Sequence, residues 1–231
     1  MKIILASTSP RRKELLEREG IDFIIDASSI TEYLDSSLEI EERLKKLAYD
    51  KGVSIHEKYP DVKLLVDAND AYTVDECIAY LEGIEPVRIY WMEEPFKENE
   101  KDYAILREWQ KVKAPELLLA DGEFKPQKKE LLSLGEKNLL DVYLQDIIGY
   151  GFTNWIQLLP ELKKRKMVAS PHNWGSLLKT IYSAHLAMAM GNIPIVEGVT
   201  CKSDELDFGD FDIRDGYFIP SVRPGFGITL K

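Results

Sequence analysis

Short apolar runs alternate along this chain with longer segments of mixed charge. Six runs, at residues 62–66, 87–92, 117–120, 139–144, 167–169 and 193–196, are rich in Val, Ile and Leu. That is the composition of strands buried on both faces of a parallel sheet. The segments between them have the length of helices. The stretch 73–81 opens with Thr73, and Glu76 follows three residues on, the pattern of a capping box. Nearer the amino end, 2–6 and 22–26 predict two further strands, followed by helices over 10–19, ended by Gly20, and over 39 to about 57. The count of strand and helix units then reaches eight, the number that closes a barrel.

A polar side chain follows each of the six runs: Asp67, Glu93, Glu123, Asp146, His172 and Glu197, at intervals of 26, 30, 23, 26 and 25 residues. This period is one strand, one helix and two loops. It sets a carboxylate or imidazole at the carboxyl end of successive strands, where (β/α) barrels keep their active sites. The expected fold class is therefore α/β, a parallel (β/α)8 TIM-barrel-like single domain over residues 1–231. An open doubly wound α/β sheet is the alternative.

The 231 residues are compact for a barrel, and 45% hydrophobic content is enough to bury a sizeable core. With no apolar stretch of 18 residues and no basic leader before an apolar core, the reading is no membrane partner and a cytoplasmic location. Cys77 and Cys201 lack metal-type spacing and read as reduced thiols. A net charge of −10 argues against a nucleic-acid surface. Of the two basic runs, 163–166 fits a helix carboxyl terminus, where cations are favoured.

The other run lies in Ile4-Leu5-Ala6-Ser7-Thr8-Ser9-Pro10-Arg11-Arg12-Lys13. A strand leads into a hydroxyl-rich loop, then Pro at a first helical turn backed by arginines, an arrangement suited to phosphate. This segment resembles the amino-terminal signature of the Maf (septum-formation inhibitor) nucleotide pyrophosphatases, and the similarity continues through Gly20-Ile21-Asp22-Phe23 and Glu32 to about Tyr59-Pro60. The resemblance implies metal-dependent hydrolysis of nucleoside triphosphates, with Ser7, Ser9, Arg11, Arg12, Lys13 and Glu32 binding substrate. The family's catalytic Gly-Ala-Asp-Thr step is replaced here by Val66-Asp67-Ala68-Asn69.

From residue 61 onward the chain resembles another family. Leu65-Val66-Asp67-Ala68-Asn69, Tyr90-Trp91-Met92-Glu93-Glu94-Pro95-Phe96, Ala120-Asp121-Gly122-Glu123, Ser170-Pro171-His172-Asn173-Trp174-Gly175 and Val196-Glu197-Gly198 are similar to the barrel of the enolase superfamily, in its mandelate racemase and acid-sugar dehydratase branch. The resemblance implies proton abstraction next to a carboxylate, and a hard cation such as Mg²⁺ must then neutralise the oxygens. Asp67, Glu93 and Glu123 would be its ligands, with Glu94 and Asp121 as second-ranked substitutes. His172 would be the general base and Glu197 an acid beside the substrate oxygens. Asp146 is the expected partner of His172, Asp141 is the alternative, and ungapped alignment back from Gly151-Phe152-Thr153 puts Gln145 there instead. The substrate would be a small acid sugar or hydroxy acid.

The lysine pair that this family carries on its second strand is absent from Phe23-Ile24-Ile25-Asp26, and the pyrophosphatase-like segment is expected to stand in place of the family's capping domain. The whole reads as a chimeric scaffold of residues 1–60 and 61–231, the latter supplying strands 3–8, with a metal-dependent lyase or racemase site of little turnover.

Overall fold

The computed structural model describes residues 3–5, 8–18, 23–27, 40, 46–47, 49–50, 53–54, 57–59, 63–84, 87–198, 203–214 and 216–231. The chain divides into two compact units, one of Leu65–Ala79 and Ile89–Lys231 and another of Lys2–Leu64 and Tyr80–Arg88. In the second unit, β1 (Ile3–Leu5) and β2 (Phe23–Ile25) pair in parallel around α1 (Pro10–Arg18). The described residues of the expected helix over 39–57, namely 40, 46–47, 49–50, 53–54 and 57, are all helical.

The remaining strands predicted through residue 169 form a five-stranded sheet in sequence order: β3 (Leu64–Asp67), β4 (Ile89–Glu93), β5 (Leu118–Asp121), β6 (Val142–Tyr143) and β7 (Val168–Ala169). β4 pairs with β5, β5 with β6 and β6 with β7 in parallel, with Glu93 opposite Ala120, Ala120 opposite Val142 and Val142 opposite Val168. One sheet face carries a core cluster of Trp91, Ala120, Val142 and Leu144, with Leu118, Val168 and Ile195 packed against it. The other face meets helices: Tyr143, fully buried, stands edge-on to Trp155 at 5.7 Å between ring centres.

The helices follow local sequence logic. In α2 (Val74–Gly83), Thr73 and Glu76 form the expected reciprocal cap, the Thr73 N–H and hydroxyl each donating to Glu76 Oε2 at 2.8 Å. In α3 (Glu100–Lys113), Tyr103, Leu106, Arg107 and Gln110 are buried, a stripe at helical spacing. Its Arg107 donates to Asp141 at 2.7 Å. Then come α4 (Lys128–Glu136), α5 (Ile147–Tyr150), α6 (Phe152–Lys164) and α7 (Leu177–Met190). Lys163 and Lys164 of the basic run occupy the last turn of α6.

An α/β fold with a parallel sheet is present, but closure into one eight-stranded barrel is not seen among the described residues. β1 and β2 pair with each other in a sheet of their own. The expected last strand, 193–196, lies beside β7 without a ladder: Ala169 N–H donates to Asn192 O at 2.9 Å and Ser170 Oγ to Ile195 O at 3.0 Å. Pro194 interrupts it, having no N–H for a ladder. Beyond it, β8 (Leu206–Asp207) pairs with β11 (Thr229–Leu230), and β9 (Asp212–Arg214) with β10 (Tyr217–Ile219), both antiparallel. Two acids of this segment are paired on the surface, Asp207 with Arg223 at 2.9 Å and Asp212 with Arg214 at 2.6 Å.

Candidate active site

The carboxyl ends of three consecutive strands bring three acids together. Asp67 ends β3, Glu93 ends β4, and Glu123 lies two residues past β5. One carboxylate oxygen from each lies within 4.8 Å of the other two. Oxygens about 2.1 Å from one shared Mg²⁺ stand no more than about 4.2 Å apart, so small side-chain rotations would close the set. The electrostatics point the same way. Burial, chiefly, pushes Glu93 up to about 8; Asp67, Glu197 and Glu123 add repulsion, and the Trp91 indole, donating at 3.0 Å, offsets part of it. Glu123 is raised as well, first by burial, against the lowering effect of His172. A divalent cation would relieve this crowding of like charge.

His172 sits at the edge of the triad. Its Nδ1 is 3.2 Å from Asp146 Oδ2 and its Nε2 is 3.1 Å from Glu123 Oε1. The backbone holds the pair in place: His172 N–H donates to Leu144 O at 2.8 Å, and Ile147 N–H to His172 O at 3.0 Å. Asp146 caps α5, its Oδ1 accepting from Ile148 and Gly149 N–H at 2.9 and 2.7 Å, while Lys179 Nζ contacts Oδ2 at 2.5 Å. Burial alone would raise Asp146, but the Gly149 N–H and Lys179 outweigh it and hold the carboxyl below its ordinary range. Glu197 Oε2 accepts from Asn173 N–H at 2.7 Å, which keeps this acid beside His172. All six residues of the periodic set therefore meet at one end of the sheet.

A family model, the enolase C-terminal domain-like family, matches residues 50–231. The chain belongs to that family. A mandelate racemase/muconate lactonizing protein from Geobacillus sp. Y412MC10, solved with magnesium and tartrate, superposes with a TM-score of 0.75 at 30% identity, covering 85% of this chain and 50% of that one. Arabinonate dehydratase of Saccharolobus solfataricus is 26% identical over 217 residues, 92% of this chain and 53% of that protein. A dTTP/UTP pyrophosphatase of Caldicellulosiruptor bescii is 37% identical over 93 residues, 39% of this chain and 47% of that protein. The chain spans about half the length of these relatives.

Within this enolase-family sheet, the phase of the strands separates the acids. Residues two apart share a face, so Glu93 stays on the side of Trp91, whereas Glu94 and Asp121 fall out of phase with the triad. Asp121 is buried and accepts from Tyr103 of α3 at 2.5 Å. Burial pushes it up to about 8; the Tyr103 hydroxyl opposes this, and Glu98, Glu94 and Asp70 add to it. Gly122 then turns the chain at φ +122°, a conformation open to glycine, and Glu123 returns to the triad. Asp141 is taken by Arg107 and by the Leu119 N–H at 2.8 Å, and Gln145 by the Tyr143 hydroxyl at 2.8 Å, so Asp146 is the carboxylate that reaches His172.

Sequence reasoning missed Lys179: it sits in a helix 33 residues from Asp146, and no spacing announces it. In the amino-terminal motif, Ser7 and Glu32 lie outside the described residues. Arg11 and Arg12 belong to α1, Ser9 O accepts from Lys13 N–H at 3.2 Å, and Lys13 pairs with Glu17 at 3.5 Å. All the described ones belong to the second unit, separate from the unit that holds the acid triad. Cys77 is buried and its thiol is pushed up to about 12 by desolvation, as suits an inert core residue, while Cys201 lies outside the described residues. Among the described residues, no helix is long and apolar enough to cross a membrane.

Proposed function

We propose that the chain carries a Mg²⁺-dependent site that removes the proton next to a carboxylate of an acid sugar or related hydroxy acid, as the first step of dehydration or racemisation. The observation that carries this reading is the convergence of Asp67, Glu93 and Glu123 beside a His172–Asp146 pair. The three acids would hold the cation, whose chemistry is to neutralise the dianion that develops on the substrate carboxylate.

The chain's own residues supply the rest. A His172 ring whose Nδ1–H is anchored on Asp146 presents its Nε2 lone pair, and with Glu123 committed as a ligand this is the nitrogen left to accept the α-proton. Lys179 keeps Asp146 ionised, which fixes that tautomer. Glu197, held by the Asn173 amide, would hydrogen-bond the developing oxyanion. Loss of a β-hydroxyl as water then gives dehydration; reprotonation from the opposite face would give racemisation.

Turnover is slow on this account. Positioning can contribute about 7–11 kcal/mol of a barrier, and the segment Phe23-Ile24-Ile25-Asp26 lacks the lysines that the resemblance calls for. The test is exchange of the α-proton of arabinonate in D₂O with Mg²⁺. Slow exchange that needs Mg²⁺ and falls about 10²–10⁴-fold in His172→Asn is expected; exchange equal in wild type and variant would overturn the reading.

A second reading rests on the pyrophosphatase likeness: residues 1–60 and 61–231 derive from two sources within one chimeric chain, and the first keeps a triphosphate-binding loop at Ser7–Lys13. Nucleoside triphosphate hydrolysis lost in Arg12→Ala would favour it.

A further inference from the structure

We infer that Glu94 is the positioning residue of the metal centre, a clamp that ties the three ligand-bearing loops together. The inference rests on the metal reading above. Glu94 is 1% exposed and adopts φ +39°, uncommon for a residue with a side chain. Its Oε1 accepts two backbone N–H groups of the loop after β5, from Glu123 at 2.8 Å and Phe124 at 2.6 Å. Its carbonyl accepts from Asp70 N–H at 2.8 Å, in the loop that follows Asp67, and its own N–H donates to Ala120 O at 3.0 Å. One residue thus bonds to the loop of the first ligand, adjoins the second and holds the backbone of the third.

The chemistry explains why a carboxylate stands there. Gly122 leaves β5 at φ +122°, in a region that glycine enters with little steric restraint, so the turn gains from an outside hold on Glu123. Two charge-assisted hydrogen bonds to a single oxygen fix it, because they hold consecutive amides in one orientation. The arrangement carries an electrostatic cost. Oε2 of Glu94 is buried and makes no hydrogen bond, and Asp70 and Glu123 repel the charge. A residue that served only to fill this space would be apolar. What the carboxylate does provide is a preorganised third ligand, and partners of this kind are typically worth 10–100-fold in metal affinity.

Two measurements on the full chain test the clamp, with Glu94→Ala removing the acceptor and Glu94→Gln keeping an acceptor oxygen without the charge. In the metal-free protein, hydrogen exchange at the Glu123 and Phe124 amides is expected to speed up at least about tenfold in Glu94→Ala and less in Glu94→Gln. Mn²⁺ titration followed by electron paramagnetic resonance is expected to show affinity about 10–100-fold weaker in Glu94→Ala, with partial rescue in Glu94→Gln. Unchanged exchange at those two amides, in whichever variant folds, would overturn the clamp. So would Mn²⁺ binding equal to wild type. Wild type that fails to bind Mn²⁺ would instead overturn the metal reading, and with it the positioning role, even where the exchange data show that Glu94 holds the loop.

Discussion

Replacing Glu93 with Gln should make the metal-free protein more stable at pH 8 while removing its response to Mg²⁺. Glu93 is 9% exposed and its carboxyl is held at about 8 against an ordinary 4.5, with burial as the first cause. At about 1.36 kcal/mol per pH unit, ionising it in the folded state costs up to about 5 kcal/mol relative to the unfolded chain. This is a carboxyl raised by folding, so its cost is absent below pH 4.5, where both states are protonated. It grows as pH rises through the window from 4.5 to 8 and is complete above 8. Glutamine keeps an oxygen for the Trp91 indole but has its own burial cost of about 1–3 kcal/mol, so a net gain of about 2–4 kcal/mol at pH 8 is expected. Urea unfolding of both proteins in EDTA at pH 5 and pH 8 reads this directly. Saturating Mg²⁺ should close most of that gap or reverse it, since a ligand at 100 times its Kd stabilises by about 2.7 kcal/mol. A Glu93→Gln protein less stable than wild type at pH 8 in EDTA, or a difference that does not change with pH, would refute the reasoning.

Lys179→Met should slow α-proton exchange about tenfold by letting Asp146 rise toward the value its burial dictates. Asp146 is a lowered acid, so its stabilising contribution is full above the ordinary carboxylate range and disappears as pH falls through its folded value; the variant should lose less stability on acidification than wild type. Arg107→Ala should cost about 2–3 kcal/mol in urea unfolding without altering Mg²⁺ affinity, because it strips Asp141 of its 2.7 Å partner at the amino end of β6, whereas the triad lies at the strands' carboxyl ends. Thr73→Ala should cost about 1 kcal/mol in the same assay through loss of the α2 cap.

The acids and the imidazole were legible because each follows an apolar run at a nearly constant interval, and a strand's carboxyl end is a fixed place in an α/β unit. Choosing among neighbouring acids was a matter of phase. Glu93 continues the face of Trp91, whereas Asp121 turns toward Tyr103, and only the glycine at 122 brings Glu123 back. Spacing could not decide between Asp146 and Asp141, since the decision lies with Arg107 on α3, which claims Asp141. Lys179 was invisible for the same reason: side chains that meet across elements leave no local pattern. Among the described residues, the sheet lacks the expected strands at both ends. Pro194 could have been read as removing a donor from the last run, but which strand β1 and β2 would choose as a partner is a non-local outcome that composition does not encode.

The most direct measurement of the central claim is the position of a Mn²⁺ ion by anomalous diffraction from crystals soaked at neutral pH. A single strong peak bonded to one oxygen each from Asp67, Glu93 and Glu123, with His172 outside the coordination sphere, is the result the account predicts. A peak elsewhere, or none at saturating Mn²⁺, would contradict it.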